Sequence, residues 1–369
     1  MSFIYPQKTN YFGFRKNRSL ILLLFILSSF FSLQLTAQNY VVNSNADANA
    51  VNLVTGDAGG GVITLRSAIQ AATAQPGAHI ITFSGAVVSP INLTLGQITV
   101  GNAANGNNIT ITGPGMNLLT VNQTTDNRVF STGTGAVTFL LQNITLNFTG
   151  PGTTPYSGGG GAIIAGGAGA ATTLINVTIS NFDMQLGNGG AISASSSLAN
   201  HSLTITNCIF TNNRAGGAGG AVSYNSQGGT AIISGCTFSG NQTGPVGANT
   251  GGDGGALSTT GGGNGGTYIV EKNTFINNQV LNNTGHGGAV INTNGILTLR
   301  FNRFIGNTCA NVANPPLANI VAQTGGTLNF ANTIADNNWW GVNTGPGTND
   351  ATALAAGGTM VVTKWLQLK

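Results

Sequence analysis

The sequence predicts an all-β fold, a single-stranded parallel β-helix with one short N-terminal capping helix. Three observations carry this. Gly-Gly-Ala recurs with its second glycine at Gly161, Gly190, Gly220, Gly255 and Gly288, at intervals of 29, 30, 35 and 33 residues. Between these triplets runs a second signature, Phe-x-x-Asn, which pairs Phe210 with Asn213, Phe238 with Asn241, Phe275 with Asn278 and Phe304 with Asn307. Each repeat also holds period-2 runs bounded by Gly and Asn, such as SLTIT from Ser202, TAIIS from Thr230 and ILTLR from Ile296, with no room for a crossover helix. Repeats of this kind stack as rungs roughly 4.8 Å apart, with hydrogen bonds running between rungs.

In chain order, residues 1–38 read as a secretory signal peptide. Lys8, Arg15, Lys16 and Arg18 precede the apolar run LILLLFILSSFF over residues 20–31, and SLQLTAQ offers small residues near a cleavage point. A spanning helix needs roughly 20 apolar residues, so this run is too short, and no later stretch is apolar for long enough to cross as a helix. The expectation is export, to the extracellular space or the outer cell surface, with no membrane span in the mature chain. Residues 39–85 form a cap. In TLRSAIQAATA from Thr64, Leu65, Ala68, Ile69 and Ala72 fall on one helical face, and Pro76-Gly77 ends a helix placed at about 65–74. Such a helix covers the open first edge of a solenoid. Residues 86–369 form the β-helix, nine or ten rungs, clearest over residues 155–341 and closing over 337–369. Weaker copies with an aliphatic residue in the Phe place fall around Ile179 and Ile334.

Within the rungs, Phe210, Phe238, Phe275 and Phe304 are expected to stack as an internal aromatic column. Asn213, Asn241, Asn278 and Asn307 are expected to form an amide ladder at a turn, because Asn tolerates the left-handed conformation and can bond the next rung. The paired glycines allow φ > 0 or close backbone approach at another corner.

Charge narrows the function. The 369 residues include 57 Gly and only 5% charged residues, about a fifth of the usual share. After residue 38, eight basic residues balance eight acidic ones, so the formal +4 belongs to the leader and a nucleic-acid partner is excluded. The acidic residues are one Glu and seven Asp (Asp47, Asp57, Asp126, Asp183, Asp253, Asp336, Asp350), with no two at equivalent positions on adjacent rungs. His79, His201 and His286 are scattered, read as surface turns without a repeat-matched carboxylate. No cofactor, metal ligand set or catalytic residue is assigned. Cys208 and Cys236 share a phase on consecutive repeats, as buried small side chains or as a disulfide, both compatible with export. Asp253 in GGDGG reads as a solvated loop or a weak Ca²⁺ ligand; Trp339 and Trp340 read as an end cap for the apolar column or as a sugar platform. Glycine-rich stretches such as TGGGNGG lack the Lys and following helix of a phosphate loop.

The segment from Tyr40 to about Phe83, with VVNSNADANAVN leading into ITLRSAIQAATAQPGAHIITFSG, resembles the N-terminal CSLREA-type module of secreted bacterial β-helix proteins. Ile63 stands where that family has Cys, and Ser67 where it has Glu. NITITGPGMNLLTV from Asn108, followed by Arg128-Val129-Phe130, is similar to the first rungs of the same proteins. The Gly-Gly-Ala and Phe-x-x-Asn pair resembles repeats of polymorphic outer-membrane proteins, and NNWWGVNTGPG from Asn337 with Lys364-Trp365-Leu366 looks like the closing rungs of bacterial β-helix adhesins. The resemblance implies a right-handed, pectin-lyase-like solenoid, a handedness that the crossover preference of parallel strands also favours. It implies a scaffold and fixes no chemistry.

One feature points to a contact edge. Between the ladder Asn and the next Gly-Gly pair, five residues follow Asn213, 12 follow Asn241 and eight follow Asn278, while the strands keep phase. Length variation confined to one corner puts loops along a single edge, where solenoids recognise partners. The expected function is a non-catalytic, adhesin-like surface scaffold contacting glycans or the surface proteins of a host or neighbouring cell through residues 242–253 and 279–286, with Asp253, His286, Trp339 and Trp340 as candidate contacts. The alternatives are a carbohydrate-active enzyme or glycan-binding module of the same fold and, more weakly, an ice- or crystal-binding face suggested by Thr110, Thr112, Thr204 and Thr206.

Overall fold

The computed structural model describes residues 37–133, 135–152, 159–196, 200–244, 252–260, 265–310, 320–323, 332–347, 350–353 and 359–367. Of the expected leader over residues 1–38, residues 1–36 lie outside the described residues, as do residues 245–251 of the longest connection; Gln38 already belongs to the first strand, Gln38–Val42.

One rung shows how the sequence makes the fold. Strand Ile192–Ser196 is followed by Ser202–Thr206, then Ile209–Thr211, then Arg214–Ala215, and Val222–Ser226 opens the next turn. Every pairing is parallel and joins one rung to the next, so Leu203 sits beside Ala231, Ile205 beside Ile233 and Phe210 beside Phe238. The chain thus winds a right-handed parallel β-helix with three walls, formed by sheets of 17, nine and five strands among the described residues. The first wall holds two strands per rung, the second holds the strand after the Gly-Gly corner, and the third holds two-residue strands such as Arg214–Ala215. Period-2 alternation sends Leu203, Ile205, Ala231, Ile233, Val270, Leu297 and Leu299 inside, all fully buried, which is the main driving force for stacking.

Each corner has its own backbone solution. The first bend of the long wall is left-handed, with φ of 57° at Asn143, 52° at Asn176, 53° at Asn207, 57° at Lys272 and 57° at Phe301, and with Gly235 in that phase on its rung. The second is left-handed at Asn181, Asn212, Gly240, Asn277 and Gly306. At the Gly-Gly-Ala corner the two glycines do different work. The first takes positive φ, 72° at Gly219 for example, where a Cβ would lie 2.2 Å from Val222 O of its own rung; a Cβ on the second would lie 2.0 Å from the next rung's carbonyl oxygen, as at Gly220 against Gly255.

The cap follows the sequence closely. Helix α1 spans Leu65–Ala74 and begins with a capping box: Ser67 N–H donates to Thr64 Oγ1 (3.0 Å) and Thr64 N–H to Ser67 Oγ (2.9 Å). Ser67 therefore performs the reciprocal role a Glu usually takes there. Leu65, Ala68, Ile69 and Ala72 are fully buried against the first rungs. Asp47 pins the cap, accepting from Arg66 Nε (2.6 Å) and Nη2 (3.1 Å) and from the N–H groups of Thr94 (2.7 Å) and Leu95 (2.9 Å).

Three expectations are corrected. The ladder residues Asn213, Asn241, Asn278 and Asn307 do not occupy the left-handed position; the residue before each does, and the Asn side chains point inward. Ile334 is not the Phe-column residue of its rung, since it pairs with outward Thr298 and is 44% exposed, and Trp340 takes that phase instead. His79 and His201 are not surface residues but are almost completely buried. His79 Nε2 lies 3.0 Å from Gln75 O at the end of α1, and His201 faces Tyr224 inside the solenoid.

Candidate functional site

The interior is built from stacked columns. Phe210, Phe238, Phe275 and Phe304 stack face to face with centroids 4.9, 4.8 and 5.1 Å apart, and Trp340 continues the stack at 5.0 Å. The expected aromatic column is present, and Trp340 closes it rather than offering a sugar platform. The Asn ladder is equally regular. Asn278 Oδ1 accepts from Asn241 N–H (3.0 Å) and Asn241 Nδ2 (2.9 Å), while Asn278 Nδ2 donates to Phe238 O (2.9 Å) and Asn307 Oδ1 (2.9 Å). Asn213 and Asn241 repeat the pattern one rung earlier.

A second ladder, unanticipated in the sequence reading, lies five residues earlier in each rung. Asn273, Asn302 and Asn338 are buried and hand hydrogen bonds along the axis, Asn273 Nδ2 to Asn302 Oδ1 (3.0 Å) and Asn302 Nδ2 to Asn338 Oδ1 (3.0 Å). Cys208 and Cys236 occupy this phase on the preceding rungs. Their sulfurs accept from the N–H groups of Val177 and Cys208 (3.4 Å each), and Cys236 N–H donates to Asn273 Oδ1 (2.8 Å). Both cysteines are free thiols. Burial pushes the Cys208 thiol well above its ordinary range, and its hydrogen bond to the next sulfur lowers Cys236. The signal was readable, since Asn273 and Asn302 share the phase of the two cysteines.

At the Gly-Gly corner the residue preceding the glycines forms an outer column: Asn188, Ala218, Asp253, His286. Asn188 Oδ1 accepts from Ala218 N–H (2.7 Å), and Asp253 Oδ1 accepts from His286 N–H (2.8 Å) with His286 Nδ1 3.4 Å away. His286 therefore does have a repeat-matched carboxylate, contrary to the sequence reading, because the unequal connections hide the match when counting from the Asn ladder. Asp253 acts here as a stand-in for Asn188, fastening one rung to the next.

The third wall carries an outward row of Asp183, Arg214, Gln242, Gln279 and Thr308 in direct register. Arg214 Nη1 is 3.7 Å from Asp183 Oδ2, and partial burial raises the Asp183 carboxyl above its usual range despite the guanidinium, which lowers it. Between α1 and the first rungs lies an open cleft of about 450 Å³ lined by Leu53, Arg66, Gln70, Thr73, Gln97 and Asn102, where Arg66 is committed to Asp47.

Trp339 lies on the outer surface, with Arg303 Cζ 5.3 Å from its ring centroid. Among the described residues no group of three or more His, Cys, Asp or Glu is placed to hold a metal ion, and no helix is long and apolar enough to cross a membrane. No family model matches the chain, nor does any curated protein or solved structure.

Proposed function

We propose that the chain is an exported, non-catalytic contact scaffold, adhesin-like in action, that meets glycans or cell-surface proteins along the edge where its rungs lengthen. One observation carries the reading: the carboxylates serve the frame. Asp47, Asp57, Asp126, Asp253, Asp336 and Asp350 each accept a backbone N–H from a turn or a neighbouring rung. Asp183 and Glu271 pair with Arg214 and Arg300. Groups spent on turns are poorly placed to move protons, and outward on the long wall up to residue 239 the strands Ser202–Thr206, Ile209–Thr211, Thr230–Ser234 and Thr237–Ser239 offer Thr and Ser hydroxyls for neutral hydrogen bonds. The varied connections lie at the Gly-Gly corner, between the third wall and the second, on a framework held by two amide ladders, so they can diverge without disturbing the rungs. The test shortens residues 242–253 and 279–286 to the five-residue length found after Asn213. Loss of binding to cells and to a glycan array, with the β-sheet circular dichroism intact, is the expected result; unchanged adhesion overturns the reading.

The Asp183–Arg214 pair favours a second reading, a carbohydrate-active β-helix, because a carboxyl raised by burial beside a guanidinium is suited to general acid work. Release of reducing ends or unsaturated products from polysaccharides, abolished by Asp183→Asn, would establish it.

A further inference from the structure

The charged residues are not spread evenly over the long wall. Strands Ser202–Thr206, Ile209–Thr211, Thr230–Ser234 and Thr237–Ser239 carry no charged side chain. On the following rungs the same outward positions and the bend between them become charged and aromatic. Register sets Glu271 beside Arg300 and Thr274 beside Arg303, so Lys272 and Phe301 are neighbours at the bend, and Arg303 bridges onward to Trp339. Phe301 N–H donates to Asn337 O and Asn337 N–H to Lys364 O, so Lys272, Arg300, Arg303 and Lys364, four of the eight basic residues after residue 38, lie along one bend of the long wall. Glu271 holds Arg300 through Nε at 2.7 Å and leaves its side chain 49% exposed; Lys272 is 66% and Phe301 45% exposed. Arg303 lies over Trp339, whose Nε1 is fixed by Asn343 Oδ1 at 3.2 Å.

We propose that this corner binds an acidic polysaccharide through its carboxylates, the polymer running along the solenoid axis. Two aromatic faces in an otherwise hydroxyl-rich wall provide apolar platforms for sugar rings. Two guanidinia held in place, one by Glu271 and one by the indole, present planar forks that match a carboxylate, and the corner's cations outnumber its Glu271 and Asp336 carboxylates. Phe301 adopts φ of 57°, an unusual conformation for an aromatic residue, and this turns its ring outward at the bend where the preceding rung has Lys272. The inference rests on the contact-scaffold reading but uses a different face from the lengthened connections, so the two fail separately.

The experiment measures binding of the purified full chain to alginate, a polyuronate, and to the same polymer after reduction of its carboxyl groups. Binding to alginate alone is expected, weakening with salt as expected of exposed charges. The double variant Arg300→Gln/Arg303→Gln and the single variant Trp339→Ala should each lose at least about tenfold in affinity, with circular dichroism and melting close to the parent's. Arg300→Lys/Arg303→Lys, which keeps the charge and removes the forks, should recover only part of the loss. Equal binding of carboxyl-reduced alginate, equal or tighter binding of dextran sulfate or duplex DNA, or full affinity in the Gln double variant would each overturn the assignment. Loss of cell adhesion on shortening residues 242–253 and 279–286, with alginate binding retained, would leave it standing.

Discussion

At the scale of single residues the structure is governed by buried amides. Asn278 satisfies four hydrogen bonds at once, two as acceptor and two as donor. Replacing it by Ala takes these partners from Asn241 N–H and Phe238 O and one bond each from the Asn241 and Asn307 amides, which keep Phe210 O and the residue 278 N–H, in a dry interior where each unpaired group costs about 1–3 kcal/mol. Asn278→Ala should therefore destabilise the chain by roughly 3–6 kcal/mol, read as a lower urea midpoint, whereas Asn188→Ala, which removes one outer corner bond, should cost no more than about 1 kcal/mol. His201 gives a pH signature. Burial lowers its pKa from 6.5 to about 4, so the fold favours the neutral ring. The stability this contributes is complete above pH 6.5 and is lost as pH falls from there towards 4, at most about 3 kcal/mol. The midpoint measured between pH 7.5 and 4.5 should fall accordingly, and His201→Gln should flatten that slope over its upper part, where carboxylates do not yet titrate.

At the scale of elements the frame divides into what periodicity reveals and what it hides. The Phe column, the Asn ladder, the Gly-Gly corner and helix α1 were all legible, because each repeats at fixed phase or follows helical spacing. The second ladder was missed because its phase changes residue type, from Cys208 and Cys236 to Asn273, Asn302 and Asn338; a sulfur and an amide oxygen both accept a backbone N–H, and a pattern of identities does not record that equivalence. The Asp253–His286 match was hidden by connections of unequal length. The outer cation corner lies outside both signatures, and register alone assembles it. Two predictions belong here. Asp47→Asn strips the buried Arg66 of its carboxylate, side chains 2% and 5% exposed, and should cost about 3–5 kcal/mol, visible as faster hydrogen exchange over Leu65–Ala74. Gly220→Ala would drive a methyl group onto Gly255 O and should separate those rungs or prevent folding. Gly219→Ala combines the strain of φ 72° with a Cβ 2.2 Å from Val222 O within its own rung, and should be tolerated no better.

At the scale of the whole molecule, contacts run between neighbouring rungs and little else, so the chain is quasi-one-dimensional. The columns couple rungs along the axis: aromatic stacking from Phe210 to Trp340 and amide ladders from Asn213 to Asn307 and from Asn273 to Asn338 all pass through the rungs between residues 230 and 310. The first rungs lack these columns and are joined by aliphatic stacking, by an outer amide row of Asn92, Asn122 and Asn147, by the Phe130–Phe139 edge contact and by the α1 cap. A lesion in the columns should therefore stay local. Phe275→Ala removes a ring stacked on both faces, at 4.8 and 5.1 Å, and leaves a cavity costing about 3–5 kcal/mol. Its effect on native-state hydrogen exchange should concentrate in strands Tyr268, Val270 and Leu297 belong to, and fade towards Ala78–Phe83, which should exchange at the parent's rate. Uniform acceleration along the chain would instead show one cooperative unit, with cap and columns folding together. The distinction bears on function, because a solenoid that loosens rung by rung can yield under load at one end while its outer corner keeps the geometry that a bound polymer needs.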